Sequence, residues 1–115
     1  MMFINAFAAA ITLISPAVFA APQIPQDLLK IKLCQDPDLG GLCLEPVARV
    51  ATCENIDPTY DDKVTSFDTR GRICTFYLEA DCYAATEYSY DGTMNDLLKS
   101  ERPGFNDAIS SYNCL

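Results

Sequence analysis

The sequence predicts a small all-β domain that is built from two copies of one strand motif and cross-linked by disulfides. Three observations predict this class. Short runs of β-forming residues alternate with turn signals, a short motif occurs twice, and a chain of 115 residues holds six cysteines. Because a domain of this size buries only a limited core, we expect covalent cross-links to supplement it.

The first 20 residues have the features of a secretory signal peptide. Residues 6–19 contain no charged residue, and the compact side chains of Val18 and Ala20 suit cleavage after Ala20. The apolar run is too short to span a bilayer. We therefore expect a protein secreted to the extracellular space, with an extended lead-in over residues 21–30 and one domain over residues 31–115.

The charge balance argues against two classes of partner. Eight Lys and Arg residues stand against 16 Asp and Glu residues, so the net charge is −8, and the basic residues are scattered. Phosphate backbones and anionic membranes favour clustered Lys and Arg. We expect no nucleic acid and no membrane insertion, but a monomer that binds an extracellular protein or glycan.

The cysteines are expected to form three disulfides, each worth about 2–4 kcal/mol. A zinc site is disfavoured because no two cysteines have C-x-x-C spacing and the chain has no histidine. The spacing leaves the pairing open. The six are Cys34, Cys43, Cys53, Cys74, Cys82 and Cys114.

Three segments predict strands. Residues 31–34 alternate in polarity, residues 47–53 can form a strand, and residues 72–77 are rich in β-forming side chains. Turn signals separate them at residues 36–38, 40–41, 57–58, 70–71, 91–92 and 103–104.

The one helical alternative lies within residues 94–102. Asn95 or Asp96 is suited to cap a short turn that holds Leu97 and Leu98, and Pro103 limits its length.

A repeated motif is the most informative feature of the chain. Residues 60–67 and 105–112 share the order aromatic, two Asx, any residue, β-branched apolar, two hydroxyls, aromatic. A hairpin-like segment precedes each copy, at residues 34–41 and 77–84. Two copies of one unit of about 40 residues therefore account for nearly the whole predicted domain.

These residues resemble the βγ-crystallin superfamily. Its Greek-key motifs carry an aromatic-x4-aromatic-x-Gly hairpin, and its calcium-binding members carry an N/D-N/D-x-x-S/T-S clamp, which residues 61–66 and 106–111 match at every specified position. The chain is also similar to small crystallin-like secreted proteins of filamentous fungi, which end on a clamp and a cysteine as residues 105–114 do. The resemblance covers residues 31–114 and implies two Greek-key motifs forming a small βγ-crystallin-like sandwich.

The two hairpins depart from the family pattern. The first has Cys34 and Leu39 at the aromatic positions but keeps the glycine as Gly41, whereas the second has Cys82 and Ala84 at the last two positions. Glycine suits a backbone conformation that other residues tolerate poorly. We expect an altered second hairpin, in which a disulfide through Cys82 substitutes for an aromatic contact.

The resemblance implies calcium sites at the clamps. Ca²⁺ takes about six to eight oxygen ligands, and each site of the family combines N/D oxygens, an S/T hydroxyl and a hairpin carbonyl. Ser66 and Ser111 are expected to stabilise the hairpins. The simpler interpretation is that Asx and Ser/Thr pairs only form turns. The candidate ligands are Asp61, Asp62, Thr65, Asn106, Asp107 and Ser110.

An EF-hand is excluded as the source of calcium binding. Counted from the acidic run at Asp36 and Asp38, Val47 occupies the position where the loop requires a bidentate glutamate.

A non-catalytic binding module is the function that the sequence favours. Without histidine, His-assisted serine or cysteine nucleophiles are impossible. The resemblance implies a host-interaction effector, with a killer-toxin-like protein, an antimicrobial protein or a protease inhibitor as alternatives. A glycan-active enzyme would need a carboxylate pair. The glutamates of suitable type are Glu45, Glu54, Glu79, Glu87 and Glu101.

Three tyrosines near the second hairpin are a further possible contact surface. Tyr83, Tyr88 and Tyr90 would suit a carbohydrate or a protein, although half-buried strand tyrosines are the commoner explanation.

Overall fold

The computed structural model describes residues 27–83 and 85–115, and all structural statements here concern these residues. The predicted signal peptide, residues 1–20, and residues 21–26 of the predicted lead-in lie outside them. The described residues form β-strands joined by turns and short 3-10 helices. The strands are β1 (Leu28–Lys30), β2 (Lys32–Asp36), β3 (Gly40–Leu44), β4 (Val47–Arg49), β5 (Glu54–Asn55), β6 (Ser66–Tyr77), β7 (Glu87–Met94) and β8 (Ser111–Cys114).

The long strand β6 joins two antiparallel halves of one continuous sheet. Its first residues pair with β2, its last residues pair with β8, and β7 follows it along both parts. The register between β6 and β7 shifts between Asp68 and Ile73, which marks a bulge where the strand passes from one half to the other. The strand orders are β3-β2-β6-β7 in the first half and β7-β6-β8-β5 in the second.

Each half takes one strand from the other repeat. β5 of the first repeat pairs with β8 of the second, and the end of β7 pairs with the start of β6 at Met94 and Phe67. The remaining strands of each half come from a single repeat. This exchange produces two interlocked Greek keys, and the predicted all-β fold is confirmed.

The core lies between the two halves. Phe67 from the first half and Phe76 from the second have ring centroids 4.3 Å apart, and both side chains are fully buried. Alternate residues of the strands face inward, as a two-layer β structure requires. Further buried members of this core are Leu33, Val64, Tyr88, Met94, Leu97, Ile109 and Tyr112.

The three predicted disulfides are confirmed. Cys34–Cys43 and Cys74–Cys114 each join residues that lie directly opposite on paired strands. Cys53–Cys82 ties the loop before β5 to the turn of the second hairpin. The bonds therefore staple two strand pairs and one long-range contact.

One expectation about a strand boundary needs correction. The strand predicted over residues 47–53 covers only Val47–Arg49, because the chain turns at Val50 and Ala51, where Ala51 has a φ of +57°. Within the predicted lead-in, Leu28–Lys30 forms a strand that pairs with β4, and Leu29 is buried.

The predicted short turn is confirmed as a 3-10 helix over Leu97–Lys99. Asp96 caps it, since its Oδ1 accepts a hydrogen bond from the backbone N–H of Leu98 at 3.1 Å. Nowhere in residues 27–83 and 85–115 is there a helix with the length and apolar character needed to cross a bilayer.

Candidate functional site

The two hairpins have the same backbone shape despite their different sequences. Asp38 and Leu39 have φ values of +59° and +58°, and Asp81 and Cys82, at the equivalent positions, have +61° and +53°. Left-handed backbone is uncommon for residues other than glycine, although Asp tolerates it well. The second hairpin therefore keeps this turn, and Cys82 forms a disulfide with Cys53, as expected. Ala84, the other position that departs from the family pattern, lies outside the described residues.

Gly41 ends the first hairpin at a φ of +70°. A Cβ at this position would overlap with Oδ2 of Asp36, so a side chain would meet both backbone strain and a steric clash.

One buried serine fastens each hairpin to the last strand of its repeat. The Ser66 hydroxyl accepts a hydrogen bond from the N–H of Leu39 at 2.9 Å and donates one to the carbonyl of Asp36 at 2.5 Å. Ser111 makes the same pair of bonds, from the N–H of Cys82 at 2.9 Å and to the carbonyl of Glu79 at 2.6 Å. Because each serine is the last residue of a clamp, each clamp lies beside its hairpin.

The two clamps are joined to each other by reciprocal hydrogen bonds. The Thr65 hydroxyl donates to Oδ1 of Asp107 at 3.1 Å, and the Ser110 hydroxyl donates to Oδ1 of Asp62 at 3.2 Å. The structure thus makes two pairs, each of which combines a carboxylate from one clamp with a hydroxyl from the other.

Backbone hydrogen bonds hold the paired clamps in place. The N–H of Asp62 donates to the carbonyl of Ile109 at 3.2 Å, and the N–H of Asp107 donates to the carbonyl of Val64 at 3.0 Å. Asp62 and Asp107 both have left-handed backbone, with φ values of +60° and +56°. The two carboxylates are therefore presented with closely similar geometry.

The first residue of each clamp carries a buried oxygen with no partner among the described residues. These atoms are Oδ1 of Asp61 and Oδ1 of Asn106. A buried polar atom that lacks a hydrogen bond costs about 1–3 kcal/mol. The same orphaned oxygen at equivalent positions of both repeats indicates a site that suits an oxygen-binding ligand.

The clamps do not form a site made of carboxylates alone. Within the described part of the chain, no three side chains of His, Cys, Asp or Glu are grouped closely enough to hold a metal ion. A cation at the clamps would therefore be bound by a mixture of carboxylate, amide, hydroxyl and backbone oxygens. That mixture suits a hard dication better than a transition metal.

Sequence reasoning identified the side chains of the clamps but not their backbone partners. The carbonyls of Asp36, Val64, Glu79 and Ile109 accept the bonds that hold the hairpins and clamps together. Backbone atoms have no residue-type signature. The only available signal was Asx at turn positions, which tolerates left-handed backbone.

One of the candidate glutamates has surroundings that do not suit an acid catalyst. Glu45 is exposed and lies 2.7 Å from the guanidinium of Arg70. The hydrogen bond and the charge of Arg70 lower the pKa of Glu45. A general acid in a glycosidase needs the opposite shift.

The three tyrosines do not form one exposed surface, so that possibility is corrected. Tyr83 is 66% exposed and Tyr88 only 7%. Burial raises the pKa of Tyr88. The guanidinium of Arg102 lies 5.2 Å above the Tyr88 ring and 4.9 Å above the Phe105 ring, which accounts for a packing role.

The amino-acid sequence matches no protein-family model and no curated protein. The structure, by contrast, is similar to solved βγ-crystallin domains. An archaeal βγ-crystallin has a TM-score of 0.58 at 17% identity, covering 75% of this chain and 96% of that one. A βγ-crystallin from Ciona intestinalis has a TM-score of 0.56 at 20% identity, covering 75% and 99%.

A fungal structure is also similar. The βγ-crystallin domain of Abundant Perithecial Protein from Neurospora crassa, solved in its Ca²⁺-bound form, has a TM-score of 0.53 at 14% identity, covering 83% of this chain and 94% of that one. At these identities the likeness establishes the fold, and the chain has the βγ-crystallin fold that its sequence predicted.

Proposed function

We propose that this chain is a small, non-catalytic extracellular module that binds calcium through its two interlocked clamps. The reciprocal pairing of Asp62 with Ser110 and of Asp107 with Thr65 is the observation that carries the proposal. Each pair brings together an anionic and a neutral oxygen, which are ligand types that Ca²⁺ accepts.

The orphaned oxygens support the same conclusion. Oδ1 of Asp61 and Oδ1 of Asn106 have no hydrogen-bond partner among the described residues, and both are oxygen ligands of the kind that a hard cation binds. The residues that would hold calcium are therefore the six candidate ligands of the two clamps. The calcium-bound Neurospora domain of the same fold makes this ion the first to test.

The extracellular setting is supported by the cysteines. All three disulfides are long-lived only in an oxidising compartment, and residues 1–20 have the pattern of a signal peptide. Export from a eukaryotic expression host tests this point. A mature protein in the medium that begins at Ala21 supports it, and retention of residues 1–20 inside the cell contradicts it.

We further propose that this protein acts as an effector that binds an extracellular protein or glycan. The net charge of −8 favours a partner with a basic surface. A binding screen against basic extracellular proteins and against glycans, with and without calcium, separates this role from that of a calcium-binding module alone.

Thermal unfolding tests the calcium proposal. The purified, oxidised protein is unfolded in chelator, in millimolar Ca²⁺ and in millimolar Mg²⁺. A ligand at about 100 times its dissociation constant stabilises the folded state by about 2.7 kcal/mol, which raises the Tm by about 10–20 °C for a domain of this size. We expect this rise with Ca²⁺ and a much smaller one with Mg²⁺.

A pair of variants assigns the effect to the clamps. Asp62→Gly with Asp107→Gly removes both carboxylates and keeps the left-handed backbone available. We expect the calcium-induced rise to be lost, and to persist in the control Asp91→Ala, an exposed aspartate on β7. An equal rise in the double variant, or none in the unmodified protein, would contradict the proposal.

A further inference from the structure

The strand register identifies equivalent inward-facing residues in the two repeats. Leu33 on β2 pairs with Leu44 on β3, and Phe76 on β6 pairs with Tyr88 on β7. Leu33 therefore corresponds to Phe76, and Leu44 corresponds to Tyr88. The repeat thus provides an internal comparison, because the same place in the fold is filled by two different sets of side chains.

The first repeat leaves a cavity at this place. It has a volume of about 260 Å³ and lies between the two halves of the sheet, with Leu33, Leu44 and Pro46 on one side. Ile56 and Tyr112, both buried, form the other side. The walls are mainly apolar.

Two polar residues lie at the mouth of this cavity. Asn55 and Asp57 line it, and both are exposed to solvent. Hydrogen bonds from the hydroxyl and the N–H of Thr59 lower the pKa of Asp57. Thr59 occupies Oδ1 of Asp57, and the amide of Asn55 is paired with Asp81. The mouth therefore offers Oδ2 of an ionised carboxylate as its hydrogen-bond acceptor.

The second repeat fills the equivalent place with its own aromatic side chains. Tyr88 takes the position of Leu44, and Tyr90, two residues further along the same face, takes that of Pro46. Phe105 packs against Tyr88 with ring centroids 5.5 Å apart. Beside these rings a wider depression of about 400 Å³ remains, which is more open to solvent than the cavity of the first repeat and has more polar walls.

We propose that the cavity of the first repeat binds a small planar aromatic molecule that carries a hydroxyl group. The ligand would supply the ring that the second repeat supplies from its own chain. Apolar cavities of about 150 Å³ bind benzene, so the larger cavity here suits a single ring with substituents. Its hydroxyl would donate to Asp57 at the mouth, while the ring contacts Leu44 and Ile56.

The probe for this site is 4-methylphenol, which is the side chain of tyrosine. It is titrated into the purified, oxidised protein and followed by two-dimensional amide NMR, with toluene as the probe that lacks the hydroxyl. We expect saturable shifts at Leu44, Ile56 and Tyr112, and binding of 4-methylphenol about threefold or more tighter than that of toluene, because only the former donates a hydrogen bond.

Filling the cavity provides the decisive variant. Leu44→Tyr installs the residue of the second repeat and is expected to weaken 4-methylphenol binding about tenfold or more. Val47→Tyr is the matched control, since Val47 is 63% exposed and does not line the cavity. Its affinity should equal that of the unmodified protein. If Leu44→Tyr does not fold, Pro46→Tyr makes the same test.

Two results would overturn the proposal. One is the absence of saturable shifts up to the solubility limit of the probe. The other is undiminished binding by the folded cavity-filling variant, which would place the probe elsewhere on the protein.

Discussion

Replacing Ser66 by alanine tests whether a single hydroxyl holds the first hairpin onto the sheet. Ser66 is fully buried, and its hydroxyl both accepts from the N–H of Leu39 and donates to the carbonyl of Asp36. The alanine variant removes both bonds without adding volume, and it leaves a donor and an acceptor unpaired.

The magnitude follows from these two groups. A buried polar group without a partner costs about 1–3 kcal/mol, and both bonds here are only partly buried, so water can reach part of each group. We therefore expect a loss of about 2–3 kcal/mol in the free energy of unfolding. For a domain of this size, that corresponds to a fall in Tm of about 10–20 °C.

The assay is urea unfolding of the oxidised protein in chelator, which keeps calcium from contributing. Ser89→Ala is the control, because Ser89 is an exposed strand serine whose hydroxyl, among the described residues, bonds only the Thr75 hydroxyl, at 2.8 Å. We expect its effect to stay within about 0.5 kcal/mol. Equal effects of Ser66→Ala and Ser89→Ala would refute the reasoning, because the buried hydroxyl would then do no more than a surface one.

Two further predictions concern the disulfide and the buried tyrosine. Replacing Cys53 and Cys82 together by alanine opens a cross-link with a sequence separation of 29, and we expect a loss of about 3–4 kcal/mol by urea unfolding; a loss below about 1 kcal/mol would contradict the role of this bond. Burial, with a smaller contribution from the charge of Glu54, raises the pKa of Tyr112. The unfolded chain therefore loses this proton first, so the contribution of Tyr112 to stability should be constant below about pH 10 and fall as the pH rises further. Tyr112→Phe should reduce that fall, and an unchanged alkaline profile of its Tm would show that another group is responsible.

Much of the fold was predictable because its signals are local or repeated. The clamps at residues 61–66 and 106–111 recur with the same residue types, and six cysteines that follow a predicted signal peptide predict disulfides. The capped turn at Asp96 was predictable for the same reason, since a cap acts on residues two or three positions away. The strand predicted over residues 47–53 ends at Arg49, because the backbone turns there although the residues that follow favour β structure.

The sequence by itself determined which chemical groups this protein presents. It specified two sets of Asx and hydroxyl side chains, a buried face on each strand and a number of cysteines that pair completely. These properties belong to residue types and to spacings within one repeat, so they do not depend on how the repeats meet.

Only the tertiary structure decided which of these groups meet. Asp62 pairs with Ser110, and Thr65 pairs with Asp107. Each of these hydrogen bonds joins residues that are more than 40 positions apart and belong to different repeats. The cavity beside Leu44 likewise depends on side chains from both halves of the sheet. Strand exchange and close packing of the core determine such contacts. Whether a side chain fills its place in the core depends on the volumes of the side chains that pack against it from the other half of the sheet.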